Sequence, residues 1–213
     1  HVTGVQTCAL PISLDVERQL FATGARIIVG IDEVGRGAIA GPVTIGAVAI
    51  DASRTSFPDG LADSKLLTPK RREAMDPQVR EWALAHATGS ATAAEIDRIG
   101  IVSALGLAAS RALSSLGVAP DVLIIDGNTP FLVEEPAGPR IMMRIKADQD
   151  CASVAAASVI AKVERDALMT RLHAEHPQYG WDGNKGYGAA VHTDAIRTHG
   201  VTQYHRTSWN LGV

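Results

Sequence analysis

The chain has 213 residues, 46% of them hydrophobic and 20% charged, with a formal net charge of −3. These values exclude a disordered or low-complexity chain and a globally basic nucleic-acid coat, while a local basic groove stays open. Aromatics make up only 4%, so the core must be built from Ala, Val, Ile and Leu; a chain of this size buries roughly 70% of its unfolded surface and needs no staples.

Residues 1–13, HVTGVQTCALPIS, show no hydrophobic period and read as a non-native or disordered leader, set aside from fold reasoning. A single domain is expected over residues 14–213. The start lacks the basic and long apolar regions of a signal peptide, and no run approaches the ~18 apolar residues of a membrane span. A cytoplasmic protein without membrane contact is the expectation. Cys8 and Cys151 are too few for a disulfide framework or a zinc site, and Cys151 reads as a small buried residue.

From Leu14, LDVERQLFATG predicts a short helix ended by Gly24. Arg26–Asp32 (RIIVGID) reads as a buried strand, and a glycine-rich turn, Gly35–Pro42, joins it to a second strand, Val43–Ile50, in a hairpin-like pair. A loop over Phe57–Thr68 carries the triplet Asp63-Ser64-Lys65. Thr68 as N-cap and Pro69 at the first helical position open a helix to about Ala85, with a break or kink at Pro77. A third strand over Ala87–Thr92 and a helix over Ala94–Leu116, interrupted at Gly100, follow. Asp121–Asp126 (DVLIID) and Arg140–Lys146 (RIMMRIK) read as strands. An Ala-rich helix over Ser153–His176 is stopped by Pro177, and the loop YGWDGNKGYG leads to a last helix near Ala189–His199. Strands first, then strands alternating with helices, imply an α/β fold with a mixed sheet flanked by helices.

Acidic residues recur where strands end: Asp32 and Glu33, Asp126, and Asp148 just past RIMMRIK. A carboxylate ending an apolar strand is costly to bury unless something positive neutralises it, and strand ends are where sites assemble in open α/β sheets. If these ends converge, the four acids cannot all ionise without a cation, and oxygen ligands suit hard divalent ions, Mg²⁺ or Mn²⁺. Two such ions suit phosphodiester hydrolysis. A strand-terminal Asp is also an ordinary cap or turn residue, so spacing alone leaves both readings open. The turn Gly35-Arg36-Gly37 follows the first acidic pair. Its glycines let backbone amides approach a ligand closely, and Arg36 suits a phosphate or hydroxyl-rich group. The run GRGAIAG is not G-x-G-x-x-G and opens no helix, which disfavours a dinucleotide fold.

Together these segments resemble bacterial ribonuclease HII, the type 2 ribonuclease H. The matching stretches are GIDEVGRGAIAGP (Gly30–Pro42), DSK (Asp63–Lys65), TPKRRE (Thr68–Glu73), EIDRIGI (Glu95–Ile101), DGN (Asp126–Asn128), KAD (Lys146–Asp148), ASVAAASVIAKVERD (Ala152–Asp166) and NKGYG (Asn184–Gly188). The resemblance runs from about Leu14 to the C-terminus. It implies a ribonuclease H-like mixed sheet with a C-terminal helical extension, and an endonuclease on RNA paired with DNA, including lone ribonucleotides in duplex DNA, as in ribonucleotide excision repair. It further implies two divalent ions, Mg²⁺ or Mn²⁺, on Asp32, Glu33, Asp126 and Asp148, with 3′-hydroxyl and 5′-phosphate products. Gly35, Arg36 and Gly37 match the family's reader of the ribose 2′-hydroxyl, Tyr187 its ring-stacking tyrosine, and Lys65 its phosphate-contacting lysine. The 2′-hydroxyl is the one group that distinguishes RNA from DNA at a site.

Asp150 stands two residues beyond the expected fourth acid and reads as a cap of the long helix. A monomer is expected, and no clamp-binding tail is evident in Trp209–Val213. The competing readings are a non-catalytic hybrid binder, which gains nothing from clustered negative charge near phosphates, and another nuclease of the same broad fold, which has no need of a 2′-hydroxyl reader.

Overall fold

A computed structural model describes residues 12–213. Cys8 and most of the expected leader therefore lie outside the described residues. Ile12 packs against the core and Ser13 bridges Cys151, with Ser13 N–H donating to Asp150 O and Ala152 N–H to Ser13 O, both at 3.0 Å.

Five strands form one sheet: β1 (Ile27–Val34), β2 (Val43–Asp51), β3 (Ala85–Ala91), β4 (Val122–Asp126) and β5 (Arg140–Arg144), in the order β3-β2-β1-β4-β5. The tight turn after β1 makes β1 and β2 antiparallel, and β3 adds antiparallel to β2. Helices lie between β2 and β4, which runs parallel to β1, and an irregular loop over residues 127–139 brings β5 parallel to β4. The sheet is thus mixed, as expected, and the C-terminal ends of β1, β4 and β5 share one edge.

The helices are α1 (Asp15–Ala22), α2 (Pro69–Trp82), α3 (Ala93–Ile99), α4 (Ile101–Ser115), α5 (Ala147–Asp150), α6 (Ala152–Glu175), α7 (Trp181–Asn184) and α8 (Ala190–His199). Thr68 caps α2 by accepting from Arg71 N–H, with Pro69 first in the helix. The helix runs through Pro77 without a break and ends at Trp82, short of Ala85. Gly100, at φ 77°, separates α3 from α4 as expected. Among the described residues no helix is long and apolar enough to cross a membrane.

Strand alternation divides the core into two layers. Ile28, Val48, Ile50, Val122 and Ile124 pack with α6, and Val29, Ile31, Ile45, Ala47, Leu123 and Ile125 pack with α4. On the α6 side the approach is closer than side chains permit. A Cβ at Gly30 would lie 2.3 Å from the Ser153 carbonyl carbon, and one at Gly46 2.2 Å from the Ala157 oxygen.

The N-terminus of α6 corrects one expectation. Asp150 does not cap it, because Arg144 takes the carboxylate through Nε and Nη2. Ser153 instead gives its N–H (2.9 Å) and Oγ–H (2.7 Å) to Oε1 of Glu17, which is fully buried on α1. Burial holds the Glu17 carboxyl above its usual range, against the lowering effect of the Ser153 bonds. A raised folded pKa means that this acid supports the fold fully at low pH and loses that contribution as pH rises through the folded value. Glu17→Ala, which orphans a buried helix amide, is expected to cost about 1–3 kcal/mol in denaturant unfolding. Glu17→Gln, which keeps the acceptor without the charge, is expected to match or exceed the parent at neutral pH. Parent-like stability of the Ala variant would show that the cap lies elsewhere.

Candidate active site

The register pairs Ile31 with Ile125, so Asp32 and Asp126 follow at the same level on adjacent parallel strands. Each continues an α6-facing row, 28-30-32 and 122-124-126. Beyond β5, Lys146 adopts a left-handed backbone (φ 61°) that turns the chain back into α5, where Asp148 is 2% exposed. The Ala147 N–H closes this corner on Asp126 Oδ1 at 2.7 Å.

The electrostatics are those of crowded acids. Asp32 is 3% exposed, and among the described residues no hydrogen-bond donor reaches its carboxylate. Its pKa stands well above the usual range, first through burial, then through Glu33, Asp126 and Asp148, with Lys65 opposing. Asp126 is raised by burial and by Asp148. Lys65 Nζ lies 3.1 Å from Asp148 Oδ2. Burial pulls the Lys65 ammonium down, but Asp32, Asp148 and Asp63 outweigh it and push the pKa up.

A pocket of about 310 Å³ is lined by Asp32, Glu33, Gly35, Arg36, Gly37, Lys65, Asp126 and Tyr187. Eight of the nine expected site residues thus meet in one hollow, and the ninth, Asp148, sits buried against Lys65. Among the described residues no three acid, histidine or cysteine side chains stand close enough to cage an ion as they are. The Lys65 ammonium and the Ala147 amide already engage two of the acids. The donor set nevertheless fits a hard divalent cation: all ligands are oxygens, and Asp32 is a buried carboxylate that accepts no hydrogen bond among the described residues, its nearby cation Lys65 being bonded to Asp148 instead.

The glycine turn forms the opposite wall. Gly35 has φ 80°, and a Cβ there would strike Arg165 Nε at 2.0 Å, so only glycine fits. A Cβ at Gly37 would meet nothing within 4 Å, and among the described residues the Gly37 N–H has no acceptor. Arg36 reaches Glu33 Oε1 at 3.5 Å and Thr129 Oγ1 at 3.2 Å. The NKGYG loop docks on the far end of the turn, with Ile39 and Ala40 N–H groups donating to Gly186 O. Tyr187 is 39% exposed, its ring 5.7 Å from the Arg165 guanidinium carbon.

Three charged groups here escaped sequence reasoning. Asp63, 2% exposed, accepts from Lys65 N–H, and burial, followed by nearby Asp148, raises its pKa. Its only signal was the DSK triplet. Lys162 lines the pocket, and burial lowers its pKa while Asp166, 2.7 Å away, opposes. Arg165 is fully buried and donates to the Pro42, Ala40 and Lys185 carbonyls. Cys151 is buried as expected, and burial pushes its thiol pKa up.

The family model described as Ribonuclease HII matches residues 29–211. The chain belongs to the ribonuclease HII family. It is an endoribonuclease, a hydrolase of RNA–DNA hybrids. The ribonuclease HII of Streptomyces avermitilis is 49% identical over 201 residues, covering 93% of this chain and 84% of the relative. That of Paracoccus denitrificans is 43% identical over 198 residues, with 91% and 90% covered. Among solved structures, the ribonuclease HII of Archaeoglobus fulgidus, in complex with PCNA, superposes with a TM-score of 0.69 at 27% identity, covering 86% of this chain and 95% of that one. A Bst-RNase HIII in complex with Mn²⁺ shares the fold, with a TM-score of 0.68 at 22% identity, covering 88% and 68%.

Proposed function

We propose that this ribonuclease HII also cuts duplex DNA on the 5′ side of a single embedded ribonucleotide, leaving 3′-hydroxyl and 5′-phosphate ends. The observation that carries the reading is the meeting, in one pocket, of the strand-end acids with a glycine turn whose Arg36 and Gly37 amides have no acceptor among the described residues.

Asp32, Glu33, Asp126 and Asp148 would hold two divalent ions, Mg²⁺ or Mn²⁺. When bound, such ions supply an activated water and charge stabilisation at the leaving oxygen. The chain's own residues do the rest. Asp32 and Asp126, fixed at the ends of adjacent strands, set where the scissile phosphate must lie. Lys65, held cationic by the surrounding acids, supplies a charge for a backbone phosphate. The Arg36 and Gly37 amides bind the ribose 2′-hydroxyl with no side chain in the way. The Tyr187 ring stacks on the neighbouring sugar, where an extra hydroxyl would obstruct it, so deoxyribose is preferred there. The protein acts as a monomer in the cytoplasm.

A labelled duplex with one ribonucleotide, incubated with Mg²⁺, Mn²⁺ or EDTA, tests this. Cutting at one position, 5′ of the ribonucleotide, is expected with either ion and none with EDTA. The all-DNA duplex, and the duplex whose lone ribose is replaced by its 2′-O-methyl analogue, should resist. Comparable cutting of all three duplexes would overturn the reading.

A further inference from the structure

Arg206 lies near the end of the chain, far in sequence from the acidic cluster, and is fully buried. No carboxylate among the described residues pairs with it. Its guanidinium is spent on backbone oxygens: Nη1 donates to Arg36 O at 2.7 Å, Nη2 to Gly35 O at 2.6 Å, and Nε and Nη2 to Gly41 O at 3.2 and 3.1 Å. The Trp209 ring covers it at 4.8 Å. A buried charge without a counter-ion is costly, and hydrogen bonds from all sides of the fork are what make it tolerable.

The orientation of those oxygens has a consequence. A trans peptide is planar, with C=O and N–H pointing in opposite directions. The Gly35 carbonyl shares its plane with the Arg36 N–H, and the Arg36 carbonyl with the Gly37 N–H. Both carbonyls are drawn inward to Arg206, so both amides face outward. Among the described residues neither amide has an acceptor, and both residues line the pocket that holds Asp32 and Asp126.

We propose that Arg206 is the positioning residue for ribose recognition: its fork grips the Gly35 and Arg36 carbonyls and so aims the Arg36 and Gly37 amides at the 2′-hydroxyl. The inference rests on the reading of the turn as the ribose reader. Lysine cannot replace the fork, because one ammonium on a flexible stem does not fix two peptide planes. Asp97 on α3 tethers the segment that carries Arg206: its carboxylate accepts from Thr207 N–H (2.8 Å) and Oγ (2.9 Å) and from Ser208 N–H (3.2 Å) and Oγ (2.7 Å).

The test measures binding of a duplex with one ribonucleotide and of its all-DNA twin by fluorescence anisotropy in EDTA, where neither is cut. The parent is expected to prefer the ribonucleotide duplex at least ~5-fold, about 1 kcal/mol. Arg206→Lys is expected to bind both twins equally, with all-DNA affinity unchanged. In NMR titrations the Gly37 amide of the parent should shift with the ribonucleotide duplex and not with its twin, and in Arg206→Lys with neither. A parent without preference would overturn the ribose reading itself. A parent with preference, matched by a preference and a Gly37 shift in Arg206→Lys, would overturn the role of Arg206 alone. If Arg206→Lys lacks a melting transition, Asp97→Ala takes its place. It is expected to lower the preference at least ~2-fold, about 0.4 kcal/mol, and full preference there would also overturn the proposal.

Discussion

Asp126→Asn is expected to slow cleavage of an RNA–DNA hybrid at least ~100-fold, about 2.7 kcal/mol of transition-state stabilisation, while the fold stays as stable as before or becomes more so. The amide keeps the shape of the carboxyl and the acceptor for Ala147 N–H, and removes one negative charge from a group that burial and Asp148 already hold above the usual range. The sign of the stability change follows from linkage. Asp32 and Asp126 both have raised folded pKa values, so their contribution to stability is complete below the unfolded values and is lost as pH rises through the folded ones. In EDTA the parent's melting temperature should therefore fall with rising pH above the ordinary carboxylate range. Asp126→Asn should fall less, and Mg²⁺ or Mn²⁺ should restore the parent. Near-parent cleavage by the folded variant would remove Asp126 from the chemistry.

Asp148→Asn is expected to lose activity on a comparable scale, whereas Asp150→Asn and Asp150→Ala keep it within a few-fold. The two acids stand on the same short helix but face different partners. Asp148 is buried with Lys65 in the acidic cluster, and Asp150 is bound by Arg144. The Arg144 and Asp150 side chains are 41% and 19% exposed. A pair so open to water is worth about 0–1 kcal/mol, so Asp150→Ala should lower the melting temperature by no more than a few degrees. Rate assays and thermal melts of the three variants, side by side in Mg²⁺, settle the assignment. Strong activity in Asp148→Asn with none in Asp150→Asn would move the fourth acid by two residues.

The strands β1, β2 and β4 were legible because β-branched runs bounded by glycines have few other uses, and the acids at Asp32 and Asp126 stood out as charges at the ends of those runs. The order β3-β2-β1-β4-β5 was not legible, since pairing β1 with β4 depends on how α2, α3 and α4 cover the sheet rather than on any local pattern. Asp150 was misread for a related reason. The position before α6 suits a cap, but a guanidinium six residues earlier binds the carboxylate, and the acceptor for Ser153 comes from Glu17, 136 residues away in sequence. Arg165 left no signal beyond its place in the stretch Ala152–Asp166, and Arg206 left none at all. Buried guanidinium groups that bind backbone carbonyls rather than acids have no partner that a sequence pattern can name.

The contact of Gly30 and Gly46 with α6 bears on how stiff this site is. Side chains in a core hop between rotamers, and a wall built from them yields by tenths of an ångström. Here the sheet rests directly on helix backbone, at Ser153 and Ala157, with no rotatable bond between. Asp32 is two residues beyond Gly30 and pairs with Gly46, so it hangs from the two points where the layers touch main chain to main chain. Chemistry that needs charged groups held within ~0.5 Å gains from such a mount. The scarcity of aromatics then has a mechanical meaning: a layer of alanines and glycines makes a thin joint, and a thin joint flexes least.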